Sequence, residues 1–504
     1  MEYSLPENGI QSYLWLVTFR LTWTVIAYVV GKAVYNIYFH PLSKFPGPKL
    51  FAASYIPREA AALSGHLHLT LKDLHEKYGD IVRTGPNVLT FTSAQAWKDI
   101  YTRQGGGSHS GFPKDSITYS TPAGQTSSIL TVINEDDHTR YRHLLSHAFS
   151  EKALQEQSPL IKKYVDLLIA RLHENAGDEA QDMTAWFNFV AFDIIGDLSL
   201  GESFGCLQNS EYHPWVSFLF SSFKVVTFFG AARRFPPFAS LLLLLVPKHL
   251  VKARNQHRDF TREKVLKRID MGTERGDFMS NVLKHNDKET GMTSDEMVYT
   301  FATLLMAGSE TTATLLSVVT FYLLQSPHVM KKLKTEIRTS FQSEDEITQK
   351  SVNKLQYQLA VLEEALRIHS PTPWGFPRVV PGDGKVVDGH WLPGGTTVYV
   401  PTYAATKLAS NWKNPESFIP ERFLDHEDYR SDKKGSFAPF SLGARNCIGV
   451  NLAYAEMRLI LARLLWNFDL ELDARSENWT DGMKMYILWE KPALYVKLKP
   501  VTRT

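Results

Sequence analysis

The pattern of apolar and polar residues separates an apolar N-terminal segment from a long mixed remainder. Residues 13–30 are almost all apolar, with one charge at Arg20, and a run of this length is typical of a membrane-spanning helix. Acidic Glu2 and Glu7 precede the run, whereas basic residues follow it. Because positive residues stay on the cytoplasmic side of a membrane, the pattern predicts a single-pass anchor over residues 1–32, with the rest of the chain in the cytosol.

A cleaved signal peptide is the alternative interpretation of this segment. Signal peptides begin with a basic region and end at a cleavage site formed by small residues. In this chain the first residues are acidic, and no such site follows the apolar run. The sequence therefore favours an anchor that is not cleaved.

Prolines punctuate the segment that follows the apolar run. His40-Pro41-Leu42 and Phe45-Pro46-Gly47-Pro48 restrict the backbone, because each proline fixes its own φ and limits the residue before it. We expect a stiff hinge over residues 33–49. No internal repeat or low-complexity linker follows the hinge, which predicts one domain over residues 50–504.

The remainder combines long helical periodicity with a few short strand-like runs. Helical periodicity dominates from residue 138 to residue 370. A Gly85-Pro86-Asn87 turn separates the first two strand-like runs. Strands are predicted at residues 81–83, 88–91, 386–387 and 397–400. The expected fold class is mainly α with small β-sheets.

The longest predicted helix covers residues 294–325. Thr293 and Glu296 form a capping box at its start, and a Ser-Pro dipeptide follows its end. Its middle contains a polar group, Ala307-Gly308-Ser309-Glu310-Thr311-Thr312, in an apolar context. A second membrane span is the alternative, but an acidic side chain at bilayer depth is costly. The pattern therefore favours a helix in the core of a soluble domain.

A second unusual group lies near the C-terminus, at Phe440-Ser-Leu-Gly443-Ala-Arg445-Asn-Cys447-Ile-Gly449. One thiolate cannot complete a zinc or iron–sulfur site, whereas it suits haem iron as an axial ligand. Gly443 allows a tight turn, and Gly449 allows the backbone to approach a flat cofactor. Arg445 can bind a haem propionate. The alternative is a loop that contains a buried structural cysteine.

The spacing F-x-x-G-x-R-x-C-x-G resembles the haem loop of the cytochrome P-450 family. Three other motifs follow the order of that family: residues 307–312 resemble A/G-G-x-D/E-T-T/S, Glu364-x-x-Arg367 resembles E-x-x-R, and Pro420-Glu421-Arg422-Phe423 resembles the motif before the haem loop. YFHPLSKFPGPKL and HLLSHAFSEKAL are similar to segments of the membrane-bound fungal branch of secondary metabolism. The resemblance implies the cytochrome P-450 fold, with haem between the long central helix and the cysteine-ligand loop.

The resemblance implies a role for each matching residue. Cys447 is expected to be the axial ligand of the iron in haem b, and Glu310 and Thr311 are expected to handle protons for bound oxygen. The other loop and helix residues expected to contact the haem are Phe440, Gly443, Arg445, Gly449 and Ala307.

The pair Glu364 and Arg367 is expected to have a structural role. In the family this pair binds the arginine of the second motif, here Arg422, and so locks the segment that carries the haem loop. Alone, such a pair three residues apart is usually a solvated salt bridge of a few tenths of a kcal/mol.

Three further basic residues resemble contacts to the haem propionates. Many family members have W-x-x-x-R where this chain has His138-x-x-x-Arg142, and Arg378 occupies another such position. Because histidine replaces tryptophan, an ordinary surface position remains the alternative for His138.

The resemblance implies a monooxygenase that hydroxylates, epoxidises or desaturates a lipophilic small molecule, such as a terpenoid, polyketide or alkaloid. The expected pocket draws on the 105–130 loop, Phe301, Ala307, Thr311, Phe376 and the segment around Met485-Tyr486. The apolar run 235–246 is either a buried helix or a second, shallow contact with the membrane.

Electrons derived from NADPH must reach the chain through a partner, because the sequence lacks a nucleotide-binding fingerprint. The resemblance implies a membrane-bound NADPH–cytochrome reductase or a cytochrome b-type donor, which basic residues such as Lys433 and Lys434 can meet. A net charge of +2 without a basic stripe argues against a nucleic-acid partner. Two cysteines, Cys206 and Cys447, favour a reducing compartment. The expected location is the endoplasmic reticulum membrane.

Two alternatives to a monooxygenase remain. One is an enzyme of the same fold that rearranges or dehydrates a peroxide without O2, against which the Glu310-Thr311 pair argues. The other is a membrane haem carrier or electron-transfer protein. Simple electron transfer needs a second strong axial ligand, and the polar group of the long helix offers none.

Overall fold

The N-terminal apolar segment forms a long helix, as the sequence predicts. The computed structural model describes residues 7–102, 111–121, 125–236, 239, 241, 248–286 and 290–502. Helix α1, Glu7–Val34, continues into a π-helical turn at Tyr35–Phe39, so the helical segment passes residue 32. None of its most apolar window is buried against the rest of the protein. Its length and hydropathy suffice to cross a bilayer.

Helices form most of the chain that follows, and several begin with a side-chain cap. Ser93, Asn134 and Ser150 each accept the N–H of the third residue after them, which satisfies a donor that the helix itself cannot. The helices before the central one are α2 Lys49–Ala53, α3 Ile56–Leu63, α4 Leu67–Tyr78, α5 Ala94–Tyr101, α6 Glu135–Ser146, α7 Glu151–Glu174, α8 Met183–Leu200, α9 Cys206–Asn209, α10 Pro214–Arg233, α11 Lys248–Asp270 and α12 Phe278–Lys284.

The central helix α13 covers Ser294–Gln325, in agreement with the sequence prediction. Both halves of the capping box form: Thr293 Oγ1 accepts the N–H of Glu296 at 3.2 Å, and Glu296 Oε2 accepts the N–H of Thr293 at 2.7 Å. The helix is long and apolar enough to span a membrane, but 78% of its most apolar 18-residue window is buried inside the domain. It is therefore a core helix. The helices after it are α14 Pro327–Ser340, α15 Gln356–Ile368, α16 Thr402–Lys407 and α17 Val450–Asn467.

Small sheets lie beside the helices. The largest has the order β1-β2-β7-β4, in which β2 and β7 are parallel and the other pairs are antiparallel. A second sheet has the order β3-β11-β8, and β5–β6 and β9–β10 are separate two-stranded pairs. The strands are β1 Ile81–Gly85, β2 Val88–Phe91, β3 Gln181–Asp182, β4 Arg378–Val379, β5 Lys385–Val387, β6 His390–Leu392, β7 Thr397–Tyr399, β8 Phe468–Leu472, β9 Lys484–Met485, β10 Trp489–Glu490 and β11 Tyr495–Pro500. All four predicted strands are present.

The main core lies where α7, α8, α13 and α17 pack together. Helix α8 is buried along almost its whole length. A Cβ at Gly308 of α13 would lie 2.7 Å from Cδ1 of Ile195 on α8. Gly308 therefore allows the close approach of these two helices.

Candidate functional site

Residues 440–449 form a tight loop that leads into α17. The N–H of Cys447 donates to the carbonyl of Phe440 at 2.8 Å and closes the loop. Gly443 has a φ of +75°, and a Cβ there would lie 2.1 Å from the carbonyl oxygen of Tyr101. The turn therefore requires glycine at residue 443. At Gly449 a Cβ would have only ordinary contacts, 3.8 Å from Phe149 and 4.0 Å from Cys447 Sγ.

The two cysteines have opposite environments. Cys206 is buried in the core, and burial raises the pKa of its thiol to about 12. Cys447 is exposed although protein surrounds it closely enough for desolvation to raise its pKa. The N–H of Gly449 and then the guanidinium of Arg142 oppose this rise, because both stabilise a thiolate. Cys447 is therefore an accessible thiol, and Cys206 is a packing residue.

The middle of the central helix has an accessible stripe beside fully buried residues. Ala307 is exposed, and Thr303 and Thr311, one turn to either side, are half-buried. Residues four apart share one face of a helix, so an internal space adjoins this face. The hydroxyl of Thr311 donates to the carbonyl of Ala307 at 2.7 Å.

Glu310 points away from this stripe. Its side chain is 1% exposed and forms an ion pair with Lys491, whose side chain is 2% exposed. Lys491 also donates to Thr314 Oγ1 at 2.9 Å. Glu310 and Thr311 thus lie on different faces, as the turn of a helix predicts for successive residues. No pattern in the sequence predicts the role of Lys491, which is 181 residues away from its partner.

Five basic side chains form a cationic cluster beside the cysteine loop: Lys114, His138, Arg142, Arg378 and Arg445. Arg445 donates to the carbonyls of Val132 (2.7 Å) and Ile133 (2.9 Å). Burial and then Arg378 lower the pKa of Arg445 to about 10. Burial, followed by the other four members of the cluster, lowers the pKa of His138 to about 3.

Members of the cluster lack a matching anion among the described residues. Arg378 is 4% exposed, and its Nε and Nη1 have no hydrogen-bond partner in the part of the chain that the structure describes. Lys114 is 6% exposed and donates to the carbonyl of Leu130. Burial and then Arg445 and Arg378 lower the pKa of Lys114 well below its usual value. Buried unpaired cations are unfavourable, so the cluster is built to hold a negatively charged group.

The structure changes one expectation for the cluster. His138 is 5% exposed, so its interpretation as an ordinary surface residue is wrong. Arg142 donates from its two terminal nitrogens to the carbonyl and to Oδ1 of Asn446, and its contact with a propionate stays a prediction. The sequence did not predict a role for Lys114, because a lysine in an irregular segment belongs to no recognisable motif.

Glu364, Arg367 and Arg422 meet in one buried network, and all three side chains are 0% exposed. Arg367 binds Glu364 with Nε at 2.7 Å and Nη2 at 2.8 Å, and Arg422 Nε reaches Glu364 Oε1 at 3.3 Å. Arg422 also binds Asp432 Oδ2 at 2.7 Å. Asp432, which the sequence did not reveal, supplies the second carboxylate of the network.

Arg367 extends the network to the segment that precedes the cysteine loop. It donates to the carbonyls of Thr406, Pro415 and Ser417 at 2.9–3.1 Å. The network therefore ties α15 to this segment.

The expected substrate pocket is only partly supported by burial. Phe301 and Met485 are packed in the core, whereas Phe376 and Tyr486 are half-buried. Much of the 105–130 loop, and most of the run 235–246, lies outside the described residues. A cavity of about 420 Å³ is lined by residues 119–121, 126–127, 131–134, 137, 141 and 296. Neither Cys447 nor Thr311 lines this cavity, so it differs from the space onto which the thiol opens.

Comparison with known proteins places the chain in a family. The family model for cytochrome P450 matches residues 46–498. Cytochrome P450 monooxygenase astA of Talaromyces wortmannii is 46% identical over 485 residues, which cover 96% of this chain and 97% of the relative. Averantin hydroxylase of Dothistroma septosporum is 39% identical over 507 residues, which cover 99% of this chain and 95% of the relative. Cytochrome P450 monooxygenase lcsI of Purpureocillium lilacinum is 43% identical, with 95% and 93% covered. The chain therefore belongs to the cytochrome P450 family.

Membership confirms the fold, the enzyme class and the cofactor expected from the sequence. The protein is a P450 monooxygenase that uses haem b, O2 and electrons derived from NADPH, with a redox partner and a small-molecule substrate. Neither an isomerase that works without O2 nor a non-enzymatic haem protein is favoured by these relatives. The N-terminal apolar helix is consistent with a single membrane anchor.

Proposed function

We propose that this chain is a membrane-anchored monooxygenase that inserts one oxygen atom into a lipophilic secondary metabolite. For hydroxylation the overall reaction is RH + O2 + NADPH + H⁺ → ROH + H2O + NADP⁺. Epoxidation uses the same co-substrates and adds the oxygen atom across a C=C bond, whereas desaturation removes two hydrogen atoms from the substrate and releases a second H2O in place of an oxygenated product. The observation that carries the proposal is the pairing of one accessible thiol, Cys447, with nearby basic side chains, of which buried Arg378 has two nitrogens without a hydrogen-bond partner among the described residues. A haem group presents an iron for the thiolate and two propionates for the cations.

Cys447 is the proposed axial ligand of the iron. When bound, haem with a thiolate ligand supplies the activation of O2. The N–H of Gly449 and the guanidinium of Arg142 favour the anionic sulfur that such ligation needs. Gly443 shapes the loop, and Phe440, whose ring lies 5.3 Å from that of Tyr454, packs the loop against α17.

The propionates are proposed to bind the cationic cluster. Arg378 has two nitrogens without a hydrogen-bond partner among the described residues. Arg445, His138 and Lys114 are near enough to interact with Arg378 electrostatically. Arg142 is proposed to contribute a propionate contact as well, and it also holds Asn446, the residue before the ligand. Ala307, exposed on the accessible stripe of α13, gives a flat surface against which the macrocycle can lie.

Glu310 and Thr311 are proposed to handle protons. The Thr311 hydroxyl borders the internal space and can hold a proton or a water molecule there. Glu310, buried behind it, can exchange a proton through Oε2, because Oε1 is bound by Lys491. Glu364, Arg367 and Arg422 are proposed to act structurally, since they touch backbone and one another.

The N-terminal segment and the relatives support the proposed setting of the reaction. The anchor, with basic residues after it, supports the endoplasmic reticulum membrane with the domain in the cytosol. A membrane-bound NADPH–cytochrome reductase, or a cytochrome b-type donor, is the proposed partner, and exposed Lys433 and Lys434 offer it basic contacts. The names of relatives such as averantin hydroxylase support hydroxylation in secondary metabolism, so a terpenoid, polyketide or alkaloid is the proposed substrate class.

The proposal is tested by reconstituting the full chain with haem, reductase and NADPH, and by feeding it extract fractions. We expect a reduced carbon monoxide spectrum of the thiolate type and NADPH-dependent products heavier by one oxygen atom, which isotope-labelled O2 will label. Haem binding without this spectrum would overturn the assignment of Cys447 as the ligand. Products that form without O2 or NADPH would overturn the proposed monooxygenase reaction.

A further inference from the structure

The ion pair between Lys491 and Glu310 joins the central helix to the C-terminal strands. Lys491 follows β10 directly and reaches across to Glu310 Oε1 and to Thr314 Oγ1 on successive turns of α13. Both charged side chains are almost completely buried. Glu310 Oε2 is also buried and has no hydrogen-bond partner among the described residues. The pair therefore fixes one carboxylate oxygen and leaves the other available.

Burial and the ammonium group act on Glu310 in opposite directions. Burial raises the pKa of Glu310 above its ordinary value, and the charge and hydrogen bond of Lys491 draw it back down. Among the described residues, Tyr212 also interacts with Glu310, and it accepts a hydrogen bond from Asn188 on α8 at 2.9 Å. Burial raises the pKa of Tyr212, so it faces Glu310 as a neutral phenol. Lys491 is thus the cation that compensates the charge of Glu310.

Neighbouring Glu490 provides a contrast on the same segment. It pairs with Lys224 of α10 at 2.6 Å, and the two side chains are 47% and 52% exposed. An exposed pair of this kind contributes little. A buried pair is weak evidence for stability, because desolvation offsets the attraction. The buried position of Lys491 is better explained by what it does to Glu310 than by a gain in stability.

We propose that Lys491 is a positioning residue that holds Glu310 as an oriented anion, so that Oε2 remains the oxygen that exchanges protons. This inference rests on the proposed role of Glu310 in proton handling. Lys491 itself touches no reacting atom. Its effect passes through the charge and orientation of one carboxylate.

The charge of Glu310 is measured directly by infrared spectroscopy of the haem-loaded full chain. We expect Lys491→Met at pH 7.5 to show a stronger protonated-carboxyl band than the wild type, and we expect this increase over the wild type to be absent in Glu310→Gln/Lys491→Met. Raising the pH should remove the increase from Lys491→Met. Lys491→Arg should resemble the wild type, because arginine restores the cation. Lys224→Met is the matched control, and its spectrum should be unchanged.

The functional consequence is measured as hydrogen peroxide formed per NADPH consumed, in the presence of the extract fraction from which the wild type forms product. Lys491→Met should increase this ratio severalfold at pH 7.5, with recovery as the pH rises and Glu310 ionises. Haem content and the carbon monoxide spectrum should stay normal in Lys491→Met. A solely structural lysine would instead alter haem content or thermal stability without this pH-dependent recovery.

Two results separate the inference from the function on which it rests. Normal coupling in Lys491→Met together with poor coupling in Glu310→Gln would overturn the role of Lys491 alone. Normal coupling in Glu310→Gln would overturn both roles. If Lys491→Met fails to fold, the neutral pair Glu310→Gln/Lys491→Met replaces it: its peroxide ratio should equal that of Glu310→Gln, and any further increase contradicts the proposal.

Discussion

Arg142 donates two hydrogen bonds to Asn446: one terminal nitrogen binds the carbonyl oxygen, and the other binds Oδ1 at 2.7 Å. Asn446 immediately precedes Cys447, so Arg142 on helix α6 holds the residue next to the proposed ligand. The same guanidinium lowers the pKa of the thiol against the effect of burial. One arginine therefore positions the residue before the sulfur and, together with the N–H of Gly449, favours the thiolate against the effect of burial.

Replacing Arg142 with Ala should weaken haem retention and favour the thiol over the thiolate. We expect a lower haem content and a reduced carbon monoxide spectrum that shifts toward the protonated-thiol form, more strongly at low pH. Arg475→Ala is the control, since Arg475 is 56% exposed and pairs with Asp473 on the surface. A normal spectrum at all pH values in Arg142→Ala would show that Asn446 needs no such support.

The two cysteines should respond differently to substitution. Cys447→His should lose the thiolate-type carbon monoxide spectrum and turnover, because imidazole lacks the donation of sulfur. Cys206→Ser should keep both, since Cys206 lies in the core with a strongly raised pKa and is not accessible. Activity retained by Cys447→His would falsify the proposed ligand.

The buried network should be far less tolerant than an exposed pair of the same spacing. Glu364→Ala leaves the guanidinium groups of Arg367 and Arg422 buried without their shared carboxylate, which costs about 3–5 kcal/mol. We expect haem loss and a lowered midpoint of thermal unfolding. The matched control is Glu174→Ala, which breaks the Arg171–Glu174 pair, also three residues apart but 57% exposed at the glutamate; about 0–1 kcal/mol is expected there. A variant that binds haem normally and loses only turnover would instead indicate a catalytic role for Glu364.

Local patterns were sufficient to predict the central helix and the first strands. Thr293 and Glu296 mark the start of α13 within the sequence itself, and a turn of three residues marks the hairpin of β1 and β2. The last strand was missed although Val496 and Leu498 alternate with more exposed residues. Its partners β3 and β8 are separate in the chain, and no turn signal points to them.

Contacts between distant parts of the chain account for the remaining differences. Lys491 lies 181 residues after Glu310, and Arg142 lies 304 residues before Asn446. A motif identifies one member of each pair, but only the folded chain shows the other. His138 is a residue whose sequence context is misleading. Its polar helix suggests a surface position, but the side chain is buried and interacts with the four other members of the cluster.

Glu456 should make stability fall as the pH rises. It is 2% exposed on α17, and burial raises its pKa to about 8, opposed by a hydrogen bond with Thr312. An unfolded glutamate has a pKa of about 4.3. The folded state therefore binds the extra proton between these values, and its relative stability decreases with pH across that window. Glu456→Gln, which stays neutral, should unfold at a higher temperature than the wild type at pH 8.5, with a smaller difference at pH 6. An identical pH dependence in both proteins would contradict a neutral Glu456.

Thr311 offers the sharpest test of proton handling, because two explanations of its hydroxyl lead to different results. The hydroxyl donates to the carbonyl of Ala307 at 2.7 Å, a bond that can merely bend the helix. It also lies on the accessible stripe, beside the proposed haem space. If it guides protons, Thr311→Ala should bind haem and substrate and should still consume NADPH. Its electrons should emerge as hydrogen peroxide, and product per NADPH should fall severalfold, equivalent to about 1 kcal/mol or more.

Thr335→Ala is the matched control for this change. Thr335 makes the same bond to a carbonyl one turn back, at 2.9 Å, but it lies exposed on α14. Product per NADPH should not change there. If Thr311→Ala behaves like Thr335→Ala, the hydroxyl on α13 only shapes the helix, and proton delivery must depend on Glu310 without it. If only Thr311→Ala releases peroxide, the position of the hydroxyl, rather than its bond to the helix, explains its role.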